Sequence, residues 1–311
     1  MDSGYQQARE GAAFDVRTDR GRVQLTGGDA VPFLHALLTN DIAALAPGTA
    51  GYATLLTPQG RMISDMEVVR MDRAGASRVL LSVPADLAAR LASRFDAAIF
   101  TEDVTVEDAS SSTVQFGIVG PCAEAAIDAA LIGVARDEIA IWKNDALGSL
   151  ESFELVAPAA QSDFLAARLA AQAAPLSPEA RKTLRVEAGR PEFHVDMTED
   201  TIPLEANLLD RAISTTKGCY VGQEVIIRVL HRGGGRVAKR LVSLRLDGST
   251  DVPDAGAVLS EGEREVGRVT SAVWSPRDRT VIALGYVHRD FAREGAALSL
   301  PGGRAAIVTA A

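Results

Sequence analysis

Residues 217–224 read Lys217-Gly218-Cys219-Tyr220-Val221-Gly222-Gln223-Glu224, and the chain changes character just beyond them. Before this stretch, strand-like and helix-like patterns alternate. After Arg232-Gly233-Gly234-Gly235-Arg236 only short alternating strands remain. The stretch also holds Cys219, one of two cysteines, with a cation two residues back and glycines nearby that admit close backbone approach. In an extended segment Lys217 and Cys219 point to the same side, where the ammonium favours a thiolate. A tight turn with a packed, inert cysteine is the other reading of the same residues.

Downstream, alternation over Leu241–Leu246 and short runs at Ala257–Leu259, Val266–Ala272, Val281–Val287, Ala297–Leu300 and Ala305–Val308 predict a small all-β domain, most simply a barrel, over 237–311. Upstream, residues 1–236 predict two related lobes, each an antiparallel sheet carrying helices. Strands are expected at Val23–Leu25, Tyr52–Leu56, Ile63–Val69 and Val79–Val83, with Thr57-Pro58-Gln59-Gly60 as a hairpin turn. Asp29 reads as the cap of a helix with Val31, Leu34, Leu37 and Leu38 on its apolar stripe, and Leu87, Leu91 and Phe95 mark a second helix. The strand-then-helix pattern recurs at Val114–Val119 and Ala123–Leu131, then at Phe153–Val156 and Phe164–Gln172. A short helix is expected from Glu179 to Val186, followed by a long functional loop carrying Glu187, Asp196 and Glu205. The fold class is thus α+β with a C-terminal β-barrel.

At 311 residues and 47% hydrophobic content the chain has material for more than one core. No apolar run approaches the ~20 residues of a membrane span, and the N-terminus lacks a basic start and apolar signal core, so a cytoplasmic location is expected. Cys122 and Cys219 provide neither a disulfide framework nor metal-ligand spacing; no bound metal is expected. Cys122, followed by alanines, reads as a packed thiol outside the site. A net charge of −9 argues against direct nucleic-acid binding. Local positive charge gathers at Lys217, Arg228, Arg232, Arg236, Lys239 and Arg240, near His231.

Arg185-x-Glu187-x-Gly189-x-Pro191, Asp196, Pro203-x-Glu205, the 217–224 motif and Arg228 together resemble the YgfZ family of folate-binding proteins. That family includes mitochondrial iron–sulfur assembly factors and is related to the glycine-cleavage T-protein. Gly27-Gly28-Asp29-Ala30, Leu38-Thr39-Asn40-Asp41-Ile42, Pro47-Gly48 and Tyr52 resemble the N-terminal pattern shared with T-protein. The resemblance implies two α+β lobes and a barrel arranged as a ring around a channel for tetrahydrofolate.

It further implies that Glu187 grips the pterin, since a carboxylate accepts two parallel hydrogen bonds from a guanidine-like edge. Arg228 or Arg236 is a candidate partner for the carboxylates of the folate tail, with an ordinary surface arginine as the competing reading. Tyr220 is a candidate to stack on the pterin, although the residue itself reads better as packing. T-proteins tend to carry an acidic pair where this chain has Ser64-Asp65; only Asp65 is left, a candidate at the folate site that reads from its surroundings as an exposed turn residue. The implied function is a tetrahydrofolate-binding accessory protein assisting iron–sulfur cluster assembly or repair in client proteins, including tRNA-modifying radical enzymes. Cys219 is then the working thiol and Lys217 its activator, with Gly218, Gly222, Gln223 and Glu224 supporting the loop. The alternative is a folate-dependent one-carbon transferase with Asp65 as base.

Overall fold

The computed structural model describes residues 2–72, 77–232, 234–248 and 250–310. Gly233 and the Arg232 side chain of the expected basic, glycine-rich boundary lie outside it. The chain divides into two compact units, Met1–Leu55 with Ser64–Ala180 and Arg211–Val221, and Leu56–Ile63 with Arg181–Asp210 and Gly222–Ala311.

Unit 1 is built on strands β1 (Ala13–Val16), β2 (Arg20–Thr26), β3 (Ala50–Leu56), β4 (Met62–Arg70), β5 (Arg78–Pro84), β6 (Thr105–Asp108), β7 (Thr113–Val119), β8 (Ala140–Asn144), β9 (Ser152–Pro158) and β10 (Ala174–Pro175). They form two five-stranded sheets, ordered β3-β4-β5-β2-β6 and β10-β1-β7-β9-β8. The second is antiparallel except at its edge, where the two-residue β10 runs parallel to β1. Each sheet carries helices, as the repeated pattern predicts. Leu87, Leu91 and Phe95 are buried beneath the helix Ala88–Asp96, and Ala123–Ala130 and Ser162–Ala170 seal the second sheet over Phe116, Ile118 and Leu155. In the helix Ala30–Leu37 the buried face uses Phe33 rather than Leu37. Asp29 precedes this helix without capping it, because its Oδ2 accepts from Asp103 N at 2.8 Å.

A polar layer joins the two sheets of unit 1. Arg17 meets Glu154 at 2.5 Å, Gln115 donates to Glu154 at 2.9 Å, Ser82 donates to Gln115 at 3.1 Å, and Trp142 Nε1 donates to Glu67 at 3.0 Å. Burial, reinforced by the nearby charge of Glu154, pushes the Glu67 carboxyl up to about 7. A raised carboxyl favours folding below its ordinary value near 4.5, and that contribution is lost as pH climbs through about 7. Glu67→Gln, which mimics the protonated acid, is therefore expected to gain stability relative to the native protein between pH 5 and pH 8. Urea midpoints at the two pH values measure it; equal differences at both would show that Glu67 does not titrate there.

Unit 2 contains β11 (Lys239–Leu246), β12 (Val258–Glu261), β13 (Arg264–Ser275), β14 (Thr280–His288), β15 (Ala297–Ser299) and β16 (Ala305–Ala310). They close as β11-β14-β13-β12-β15-β16 around a core of Val242, Leu244, Leu259, Val269, Val281 and Val308. From Arg181 onward the helix Pro178–Glu187 belongs to the same unit. The stretch expected as a functional loop after it is pinned by a buried polar network described below.

Candidate functional site

In unit 1 the segment Arg211–Val221 is stitched to the turn after the helix Ala30–Leu37. Thr39 Oγ1 donates to Ala212 O at 2.6 Å, Asn40 Nδ2 to Arg211 O at 3.0 Å, and Ser214 N to Thr39 O at 3.0 Å. Lys217 is buried, and its ammonium donates to the carbonyls of His35, Leu38 (2.6 Å) and Asn40 (3.2 Å). Burial drives Lys217 down to about 8, with Asp41 opposing. Tyr220 is buried too, its hydroxyl pushed up to about 12 by burial, and the Lys217 ammonium sits 5.1 Å from its ring centroid. Tyr220 thus packs. Between these two buried residues Gly218 and Cys219 are exposed.

This departs from an extended strand with Lys217 and Cys219 on one side: the lysine turns inward to carbonyls that lack helical partners, while the cysteine faces out. Gly218 has no neighbour within 4 Å of a would-be Cβ, so no close approach within the chain requires glycine there. Cys122 is also exposed rather than packed, because it stands at the start of the helix Ala123–Ala130 instead of within it.

Asp65 overturns its reading as an exposed turn residue. It lies within β4, only 5% exposed, and accepts a 2.7 Å hydrogen bond from the Tyr52 hydroxyl on Oδ2. Arg20 Nη1 is 3.9 Å from Oδ1, which has no hydrogen-bond partner among the described residues. Burial and the Asp65 charge push the Tyr52 hydroxyl well above its ordinary value, so it stays a donor. Arg211 lies over the Tyr52 ring at 4.6 Å and pairs with Asp145 at 2.6 and 2.8 Å. Arg20, Arg211 and Asp145 were not legible as site residues, since each is an unremarkable charge in its local sequence.

In unit 2, Glu187 ends the helix Pro178–Glu187 and accepts a 2.6 Å hydrogen bond from Ser275. It borders a cavity of about 340 Å³ with Gly189, Asn207, Ser243, Leu284 and Thr309. An oriented carboxylate at a cavity wall suits a ligand with adjacent N–H donors. Gly189 holds φ +66°, a conformation that favours glycine. Arg185, one turn-half away, is buried and serves the fold instead: it pairs with Asp196 at 2.5 Å and donates to Arg190 O at 2.7 Å and Ser271 at 3.1 Å.

The tail of the 217–224 motif also falls in unit 2. Gly222 (φ +84°) precedes the helix Gln223–Ile227, and a Cβ there would meet Thr57 O at 2.5 Å. Its role is therefore steric, tying this turn to the Thr57–Gly60 turn. Gln223 and Glu224 form the first turn of that helix, with Glu224 exposed; Arg228 is exposed just beyond it. Among the described residues no group of acids, histidines and cysteines is arranged to hold a metal, and no helix is long and apolar enough to cross a membrane.

Residues 4–142 match the GCVT N-terminal domain, and residues 239–309 match the glycine cleavage T-protein C-terminal barrel domain. An aminomethyltransferase of Picosynechococcus sp. is 30% identical over 303 residues, covering 92% of this chain and 81% of the relative. A putative chloroplastic transferase of Arabidopsis thaliana is 27% identical over 290 residues, covering 88% and 65%. The crystal structure of glycine cleavage system aminomethyltransferase T from Bartonella henselae shares the fold, with a TM-score of 0.88, 24% identity, and coverage of 99% of this chain and 87% of that one. The chain belongs to the glycine-cleavage T-protein, or aminomethyltransferase, family. Members of that family use tetrahydrofolate.

Proposed function

We propose that this chain is a tetrahydrofolate-binding accessory protein of the YgfZ type, assisting iron–sulfur cluster assembly or repair in client enzymes, tRNA-modifying radical enzymes among them. The observation that carries this reading is Cys219, exposed between two buried anchors in the 217–224 motif that resembles the YgfZ family. An exposed thiol is a soft nucleophile and metal ligand within reach of a client, a role serine does not reproduce. Glu187 is the residue assigned to the pterin, with Ser275 orienting it. Arg228, exposed and cationic, suits the anionic folate tail.

A second reading, a folate-dependent aminomethyl or methylene transferase, has the names of the curated relatives behind it. It also has a specific observation: a buried Asp65 with one oxygen held by Tyr52 and the other near Arg20 but without a hydrogen bond among the described residues suits a base receiving a substrate proton. Exchanging Cys219→Ser and Asp65→Asn separates the two. In cells lacking their own copy, the accessory reading expects Cys219→Ser to lose support of cluster enzymes while Asp65→Asn keeps most of it. The transferase reading expects the purified chain to transfer a one-carbon unit, and Asp65→Asn to abolish that transfer while Cys219→Ser leaves it intact.

A further inference from the structure

We propose that Lys217 is a positioning residue: its ammonium, seated in three backbone carbonyls, and the buried Tyr220 ring are two posts that hold Gly218-Cys219 as a fixed exposed span. The inference rests on the Cys219 reading of function and gives the spacing of the motif a physical cause. The carbonyls of His35, Leu38 and Asn40 close the helix Ala30–Leu37, and a cation there satisfies acceptors that have no helical partner. A compact ammonium with three donors matches three converging oxygens. Thr39 and Asn40 fasten the same turn to Ala212, Arg211 and Ser214. The Leu38-Thr39-Asn40 run and Lys217, far apart in sequence, are thus two halves of one clamp.

The posts also touch each other, through the 5.1 Å contact between ammonium and ring. Only Gly218 and Cys219 are left between them, and both are exposed. The outcome is a thiol presented in one place. Lys217 exerts this effect through backbone carbonyls and not through the sulfur, so the charge itself is not what prepares the thiol.

The test uses the full chain with Cys122→Ala, so that one thiol reports. Hydrogen exchange of residues 215–221 and the pH profile of iodoacetamide alkylation at Cys219 are measured for the parent, Lys217→Met and Lys217→Arg. Methionine removes the cation; arginine keeps it but is too broad for the three-carbonyl seat. Both variants are expected to speed exchange in this segment by about ten-fold or more, as local opening becomes easier, with the alkylation midpoint unmoved. Unchanged exchange in either folded variant overturns the proposal. So does an alkylation midpoint that rises in Lys217→Met but not in Lys217→Arg, which would make Lys217 an electrostatic activator. Should Lys217→Met fail to fold, Lys217→Arg alone decides by its exchange. None of these readouts depends on client function; Cys219→Ser that retained full client support would remove the functional reading while leaving the clamp result standing.

Discussion

Asp196→Ala is expected to destabilise unit 2 by about 3–5 kcal/mol, the usual cost of leaving a buried charge without its partner. Asp196 Oδ2 accepts from Arg185 Nη1 at 2.5 Å and from Glu192 N at 3.1 Å, while Oδ1 accepts from Thr270 at 2.5 Å and Ser271 at 2.7 Å. Asp196 is 3% exposed and Arg185 8%. Truncation to alanine removes the one buried carboxylate that Arg185, Thr270 and Ser271 share, leaving the guanidinium with only the half-exposed Glu192, Arg190 O and Ser271. The network joins the helix Pro178–Glu187 to β13, so its loss is felt where Glu187 and Ser275 meet. Denaturant unfolding measures the effect; a loss below about 1 kcal/mol, typical of surface pairs, would mean that the network is solvated. Asp196→Asn keeps the shape and is expected to lose less.

Glu187→Ala is expected to weaken tetrahydrofolate binding by about 10- to 100-fold. A charge-assisted hydrogen bond contributes about 1.5–3 kcal/mol, and each 1.4 kcal/mol is ten-fold in affinity. The side chain is pre-oriented by Ser275, so Ser275→Ala is expected to give a smaller loss in the same direction. Equilibrium titration with the reduced folate measures both. Equal affinity in Glu187→Ala and the native chain would remove Glu187 from the site.

What was legible in sequence follows from which forces act locally. Alternation in the barrel strands reports burial on one face, so β11 to β16 were anticipated nearly in full. The stripe Leu87, Leu91 and Phe95 marked a helix for the same reason. The short β1, β6, β8 and β10 were not anticipated, because two to five residues carry too little period to read. The fate of charged side chains was the least legible. Asp65 reads locally as exposed and is buried, since its partners Tyr52 and Arg20 lie about 13 and 45 residues earlier in the chain, beyond the reach of a local pattern. Lys217 stands next to Cys219 in sequence, whereas its ammonium is claimed by carbonyls near residue 38, about which local sequence is silent. Arg185 and Asp196 share a binding motif with Glu187 and form its scaffold, with Glu187 alone of the three at the cavity.

Whether this chain binds a reduced folate through the Glu187 cavity is decided by hydrogen exchange of the native protein with and without tetrahydrofolate. Saturable slowing of exchange is expected at Ala188, Gly189 and Asn207, lost in Glu187→Ala. Exchange at those amides that is unaffected by saturating tetrahydrofolate would contradict that binding.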